Sequence, residues 1–283
     1  ATPDPETVLL RAERELERKR LREQKQAVSV SDSERHIEHT KLIDQLSLSF
    51  GDESDLKRRG LTDEQIKKEP FRSVKQWQKL PNYINPNLAG VNVSGKGLTN
   101  FHDGLLCFVK NPKGEITGCQ IRVSDKTVNS KYVWATSKAN DNRGIDATAH
   151  LKETGELPLT CEFINPVDKV WRLCEGILKP KIASLLRNQN FIGASGGNFT
   201  SSPETFKSYI EYFNPEKIVI TPDKGSLNNP QVLNNWRKTR DFLVNLGYDV
   251  YVEIWEDAND YDVDEYPEGS LTKIIPYLEW DTD

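Results

Sequence analysis

Glu175, Asp223, Asp262 and Asp264 share a setting, since each lies beyond the end of a short apolar run. Val170-Trp171-Arg172-Leu173-Cys174 runs into Glu175-Gly176, and Lys217-Ile218-Val219-Ile220-Thr221 into Pro222-Asp223. Tyr248 to Trp255 is followed, after a short interval, by Asp262-Val263-Asp264-Glu265. If the runs are neighbouring strands that point the same way, their acids collect at one edge of a sheet. Carboxylates gathered there repel one another unless a divalent cation neutralises them. Magnesium, or manganese in its place, suits such a site because it takes few protein carboxylates and leaves positions for water and phosphate oxygens. One acid after a strand is commonly a loop or helix-capping carboxylate; four in this arrangement are hard to obtain that way. Asp257 and Asp260 rank below these four, because they fall in a loop whose plainest reading is an acidic surface.

The elements that must position the acids can be read from periodicity. Each apolar run reads as a buried strand. Lys181 to Arg187 and Gln231 to Leu246 have the length and pattern of helices, so right-handed β-α-β crossovers into a parallel sheet are expected. Asn190 to Ser195 adds a strand that ends in the turn Gly196-Gly197-Asn198. Val232, Leu233, Trp236, Leu243 and Leu246 form the stripe that should lie on the sheet, with Arg237, Lys238 and Arg240 solvated. The tail from Tyr266 suggests one short helix.

Upstream, Leu105 to Val109, the turn Asn111-Pro112-Lys113-Gly114, and Glu115 to Val123 read as a β-hairpin. Earlier still the chain reads as helical. Glu6 to Ala27 has the composition of a solvated helix, and Ile37, Ile43, Leu46 and Phe50 give a second helix its apolar side. Two short helices follow at Asp55 to Arg59 and Asp63 to Lys68, the latter capped by Thr62 with Gln65 as its capping-box partner. This pair has the outline of a helix-turn-helix, but so short a second helix offers little to a DNA groove.

The order of the acids resembles the Toprim domain shared by DnaG-type primases, topoisomerases and some nucleases. Glu175-Gly176 after the first strand, Asp223 at the end of a later one and the closing Asp262-Val263-Asp264-Glu265 all match; a second Asp two residues after Asp223 does not, since Gly225 stands there behind Lys224. The hairpin adds a second match. In DnaG-type primases the segment before Toprim has a strand, a Gly-bearing turn, a second strand ending in Arg and then a Lys-Tyr pair, here Arg122 and Lys131-Tyr132. The two matches span about residues 100 to 265. The resemblance implies an α/β fold: a Toprim-like parallel sheet flanked by helices over residues 166–283, preceded by a β-rich polymerase subdomain over 76–165 and a helical region over 1–75.

The implied activity is that of a DNA primase, making short primers on single-stranded DNA by metal-dependent nucleotidyl transfer. Asp223, Asp262 and Asp264 would bind metal, and Glu175 would bind metal or act as general acid/base. Arg122 and Lys131 would contact phosphates, and Tyr132 or Trp134 would stack a base. The implied partners are the single-stranded template, nucleoside triphosphates and a replicative helicase. A Toprim nuclease and a non-catalytic replication or partition module are the alternatives, the latter favoured by the halved middle motif.

Composition sets the outer bounds. At 283 residues and 36% apolar content the chain can bury two cores. No run approaches ~18 uninterrupted apolar residues and no signal-peptide pattern opens the chain, so a cytoplasmic protein without a membrane partner is expected. A net charge of −5 excludes a uniformly basic coat but permits a basic groove beside clustered acids. Cys107, Cys119, Cys161 and Cys174 contain no Cys-x-x-Cys pair, which argues for buried thiols and against a zinc module. A phage- or plasmid-like variant without that module is the expected type. The sequence has no methionine, position 1 included; an excised segment, or a sequence from which modified methionines have dropped, is the expectation.

Overall fold

A computed structural model describes residues 30–136, 156–223, 225–255, 262–265 and 271–281, with the single position 13. The leader over Glu6 to Ala27, apart from position 13, lies outside the described residues, as do Lys224, Asp257 and Asp260.

Three helices come first. In α1 (Asp32–Ile43) Ser31 and Glu34 form a capping box, which supplies partners for two amides at the helix start. Its buried face is Arg35, Glu38, His39, Leu42 and Ile43. The expected apolar side is therefore corrected: the helix stops at Ile43, and Ile37 and Phe50 are 51% and 85% exposed. Polar side chains take the inner face because backbone groups are there to meet them. Arg35 donates to the Thr117 carbonyl at 3.1 Å, and the Glu38 carboxylate accepts from the Asn85 amide at 2.8 Å.

α2 (Phe50–Arg58) and α3 (Asp63–Lys68) follow, α3 with the expected Thr62–Gln65 capping box. Leu56, Leu61 and Ile66 from this pair are buried with Ile177, Leu178 and Ile182 of the second half. The pair packs inward as a clamp between the halves.

The first sheet is antiparallel in the order β1 (Arg72–Val74), β2 (Gly104–Lys110), β3 (Ile116–Val123), β4 (Tyr132–Trp134). The hairpin β2–β3 is the expected one. In its turn the Asn111 carboxamide oxygen accepts from the amides of Lys113 and Glu115, both at 3.0 Å.

The second sheet contains β5 (Thr160–Glu162), β6 (Val170–Glu175), β7 (Asn190–Ala194), β8 (Lys217–Ile220), β9 (Val250–Trp255) and β10 (Thr272–Pro276), in the order β10-β9-β8-β6-β7-β5. The inner four are parallel and both edges antiparallel. α4 (Leu178–Arg187), α5 (Pro203–Phe213), α6 (Pro230–Asn245) and α7 (Tyr277–Trp280) accompany it. Trp236 and Leu243 of α6 are buried with Phe206, Ile218, Ile220 and Val252, as the stripe requires.

The outer side of α6 differs from expectation. Arg237 clasps Asp281 through two bonds of 2.7 and 2.6 Å, and Arg240 lies over the Tyr277 ring at 5.0 Å, so both hold the tail in place. β10 is also additional to the expected tail helix; its closing Pro276 is tolerated because it lies on an edge strand. β5 joins the second sheet, and its Thr160 hydroxyl accepts from the Lys110 amide of β2 at 3.3 Å, where the two sheets meet. All four cysteines are buried and free. Among the described residues no helix is long and apolar enough to cross a membrane.

Candidate active site at the carboxyl edge of the parallel sheet

Strand register places the acids. Leu173 of β6 stands beside Ile220 of β8, which stands beside Val252 of β9, all pointing one way. Glu175 ends β6 next to Ala194 of β7. Thr221 continues β8 by donating from its amide and its hydroxyl to the Leu173 carbonyl, at 2.8 and 2.9 Å. This carries Asp223 out just past the edge. The Asp223 carbonyl then accepts from the amide and hydroxyl of Ser226, at 3.0 and 2.6 Å, closing a tight turn.

Gly225 lies in that turn at φ +73°, in the left-handed region. An aspartate there would cost about 1 kcal/mol or more of backbone strain. The departure from the Toprim pattern thus has a local backbone correlate.

The expected repulsion between the acids is met by cations of the chain itself. Lys179, in the first turn of α4, pairs closely with Asp223 and also reaches Asp262 at 3.0 Å. Asp264 is buried and accepts from Arg59 at 2.5 Å. Arg59 also contacts Asp55 at 3.1 Å, and Asp55 in turn holds Arg122 of β3 at 2.8 Å. A chain of alternating charge therefore runs from the hairpin through α2 to the acid edge.

The electrostatics follow from Asp223 and Asp262 sharing the Lys179 ammonium. Burial, with the neighbouring charges of Asp262 and Glu175, pushes the Asp223 carboxyl up to about 7 although Lys179 pulls the other way. Lys179 itself is raised by Asp223 and then Asp262, which outweigh the cost of its burial. Its charge is firmly held but does not offset the burial of Asp223. Asp55 is the contrast: burial opposes ionisation, yet Arg58, Arg59 and Arg122 bring its carboxyl down to about 2.

These residues fit a cation. The Asp223 Oδ1 is buried with no hydrogen-bond partner among the described residues, and the chain already places a positive charge against Asp223 and Asp262. Among the described residues no three acids, histidines or cysteines converge on one ion position; Lys179 lies against Asp223 and Asp262, and Arg59 against Asp264. Glu175, Asp223 and Asp262 are the donors nearest to that role; Asp264 is committed to Arg59.

The second group of expected residues divides. Arg122 is joined to Asp55 and only 20% exposed, whereas Lys131 is exposed with its ammonium 5.8 Å from the Tyr132 ring. Tyr132 and Trp134 are half-buried against the core that joins the halves. Burial raises the Tyr132 hydroxyl to about 12. Two residues before Arg122 on β3, Gln120 donates from Nε2 to Ser195 Oγ at 2.9 Å, which ties the hairpin to the turn after β7.

Lys179, Arg59, Asp55, Gln120 and Ser195 shape the site without having been singled out in the sequence. One signal existed for Lys179. Cations are disfavoured in the first turn of a helix, so a lysine there points to an acid nearby.

No protein family matches the chain by sequence profile, and no curated protein matches it by sequence. Solved structures do match in fold. A DnaG primase catalytic domain bound to single-stranded DNA aligns with a TM-score of 0.57 at 11% identity, over 82% of this chain and 73% of that one. The RNA polymerase domain of Mycobacterium tuberculosis primase DnaG, in complex with double-stranded DNA, aligns at 0.52 and 16% identity, over 81% and 74%. The Aquifex aeolicus primase structure with zinc-binding and RNA polymerase domains aligns at 0.52 and 14%, over 83% of this chain but only 58% of that one. The chain has the fold of the DnaG-type primase catalytic core.

Proposed function

We propose that this chain, with the fold of a DnaG-type catalytic core, is a primase that synthesises short primers on single-stranded DNA by metal-dependent nucleotidyl transfer. The observation that carries the reading is the meeting of two features that the sequence holds far apart. Glu175, Asp223 and Asp262 stand at the carboxyl edge of the parallel sheet, and the face of β3 bearing Gln120 and Arg122 is bound to that edge through Ser195 and the Asp55–Arg59–Asp264 chain. A template and an acidic reaction centre can thereby be served side by side.

Glu175, Asp223 and Asp262 would hold magnesium or manganese. When bound, the ion lowers the proton affinity of the attacking 3'-hydroxyl and stabilises charge on the departing pyrophosphate. Glu175 has no cationic partner among the described residues and serves as a further carboxylate donor or as the proton acceptor. Asp264 keeps Arg59 in register and so fixes α2 against the edge. Arg122 and the exposed Lys131 supply positive charge along the template path, positioning its backbone without reading sequence. Nucleoside triphosphates, a single-stranded template and a replicative helicase are the proposed partners, in a cytoplasmic setting.

The test is a labelled-nucleotide assay with single-stranded template and magnesium or manganese, run with ribo- and deoxynucleotides. Primer extension that is lost in Glu175→Gln is expected. Template cleavage would instead identify a nuclease. A binding module without synthesis, which Gly225 and the two internal cations favour, would show template binding alone.

A further inference from the structure

Lys179 stands where a lysine is electrostatically out of place. It occupies the first turn of α4, at the positive end of the helix dipole, with no acidic residue in that turn and no side-chain cap. Its side chain is nonetheless only 19% exposed. What holds it there comes from elsewhere in the chain: Asp223 beyond β8 and Asp262 beyond β9. A single ammonium thus joins two strand ends that nothing covalent brings together, which is the structural task of a bound cation.

We infer that Lys179 is the resident counter-cation of this edge: a divalent ion reaches Asp223 and Asp262 only by displacing its ammonium, which then pairs with the triphosphate of the incoming nucleotide. The inference rests on the nucleotidyl-transfer reading and adds to it a residue that positions substrate. A lysine suits the exchange because its three donors sit on a flexible four-carbon stem. A divalent ion carries one more positive charge than the ammonium it replaces, and the freed ammonium stays anchored on α4 beside the edge to which the polyphosphate is delivered. Metal and nucleotide then bind cooperatively, each weakly alone. The edge also keeps a counter-charge between turnovers.

The experiment has two parts, both on the full chain. Manganese is titrated calorimetrically into wild type, Lys179→Met and Lys179→Arg, with and without a non-hydrolysable nucleoside triphosphate. Without nucleotide, Lys179→Met should bind manganese at least about tenfold more tightly, because a unit charge has left the site; Lys179→Arg should resemble wild type. Nucleotide should tighten manganese binding in wild type and much less in Lys179→Met. Equal manganese affinity in wild type and Lys179→Met overturns the inference.

The second part needs no variant and decides the matter should Lys179→Met fail to fold. Acetylation of Lys179 in the wild-type chain is followed by mass spectrometry, with the buried Lys181 as control. Labelling should be slow in the free protein, faster with manganese alone and slow again with manganese and nucleotide, while Lys181 stays constant. Labelling of Lys179 that ignores manganese overturns the displacement. Wild-type primer extension with unchanged metal affinity in Lys179→Met would sink this inference alone, and tighter metal binding in Lys179→Met without extension by any variant would sink the primase reading alone.

Discussion

Two buried clusters of charge lie on either side of α4, and they are built on opposite plans. At one, Lys181 pairs closely with Glu162 and sits 2.8 Å from Glu69, which also reaches Lys110 at 3.4 Å. Two ammoniums meet two carboxylates, and the group ties α3, β2, β5 and α4 together. At the other, Asp223 and Asp262 share Lys179, Asp264 is taken by Arg59, and Glu175 ends β6 nearby with no cationic partner among the described residues. The carboxyl responses differ accordingly. Burial acts on Glu69 as on Asp223, but Lys181 and Lys110 hold Glu69 below its ordinary value while Asp223 rises to about 7. Matched buried charges clamp the two halves; at the edge the compensation of Asp223 is incomplete, which supports the proposed cation site.

Removing one partner should separate the two plans most sharply. Lys181→Met leaves Glu162 and Glu69 buried with too little positive charge and should cost about 3–5 kcal/mol of stability. Glu175→Gln removes one of several mutually repelling acids, so unfolding in denaturant should change by less than about 0.5 kcal/mol while primer synthesis is lost. Equal destabilisation by the two variants would erase the distinction.

A smaller effect is expected from pH. The Asp223 carboxyl lies near 7 in the folded chain against 3.8 unfolded. Between those values the folded state binds the extra proton, so its stability in the presence of chelator should fall as pH rises from about 4 to about 7. Asp223→Asn should flatten this part of the profile. Glu69, shifted downward, contributes the opposite slope at lower pH and should persist in that variant. A wild-type profile that Asp223→Asn leaves unaltered would show that the edge is neutralised as fully as the clamp.

The smallest effect contrasts an exposed charge with a paired one. Lys131→Ala should lower the salt slope of single-stranded DNA binding by about 0.7 for each phosphate that the lysine neutralises and leave stability alone. Arg122→Ala should lower stability by about 1–2 kcal/mol, because Asp55 loses a charged hydrogen bond, with a lesser change in slope. Slopes unaffected by either variant would place the template elsewhere.

The parallel sheet, the hairpin, the capping box at Thr62 and the strand-end setting of the acids were legible in the sequence. All of these are local. Apolar period, turn chemistry and cap spacing act within a few residues, and strand direction then forces Glu175 and Asp223 to one edge. Short elements escaped because three residues, as in Arg72–Val74 or Thr160–Glu162, carry almost no period. The face of α1 was misread because Arg35 and Glu38 are buried against backbone groups distant in the chain. Which charge meets which was set by the folded arrangement. Lys179 with Asp223, Arg59 with Asp264 and Arg122 with Asp55 span 44, 205 and 67 residues, and an ion pair depends on distance in space, to which composition and spacing are blind.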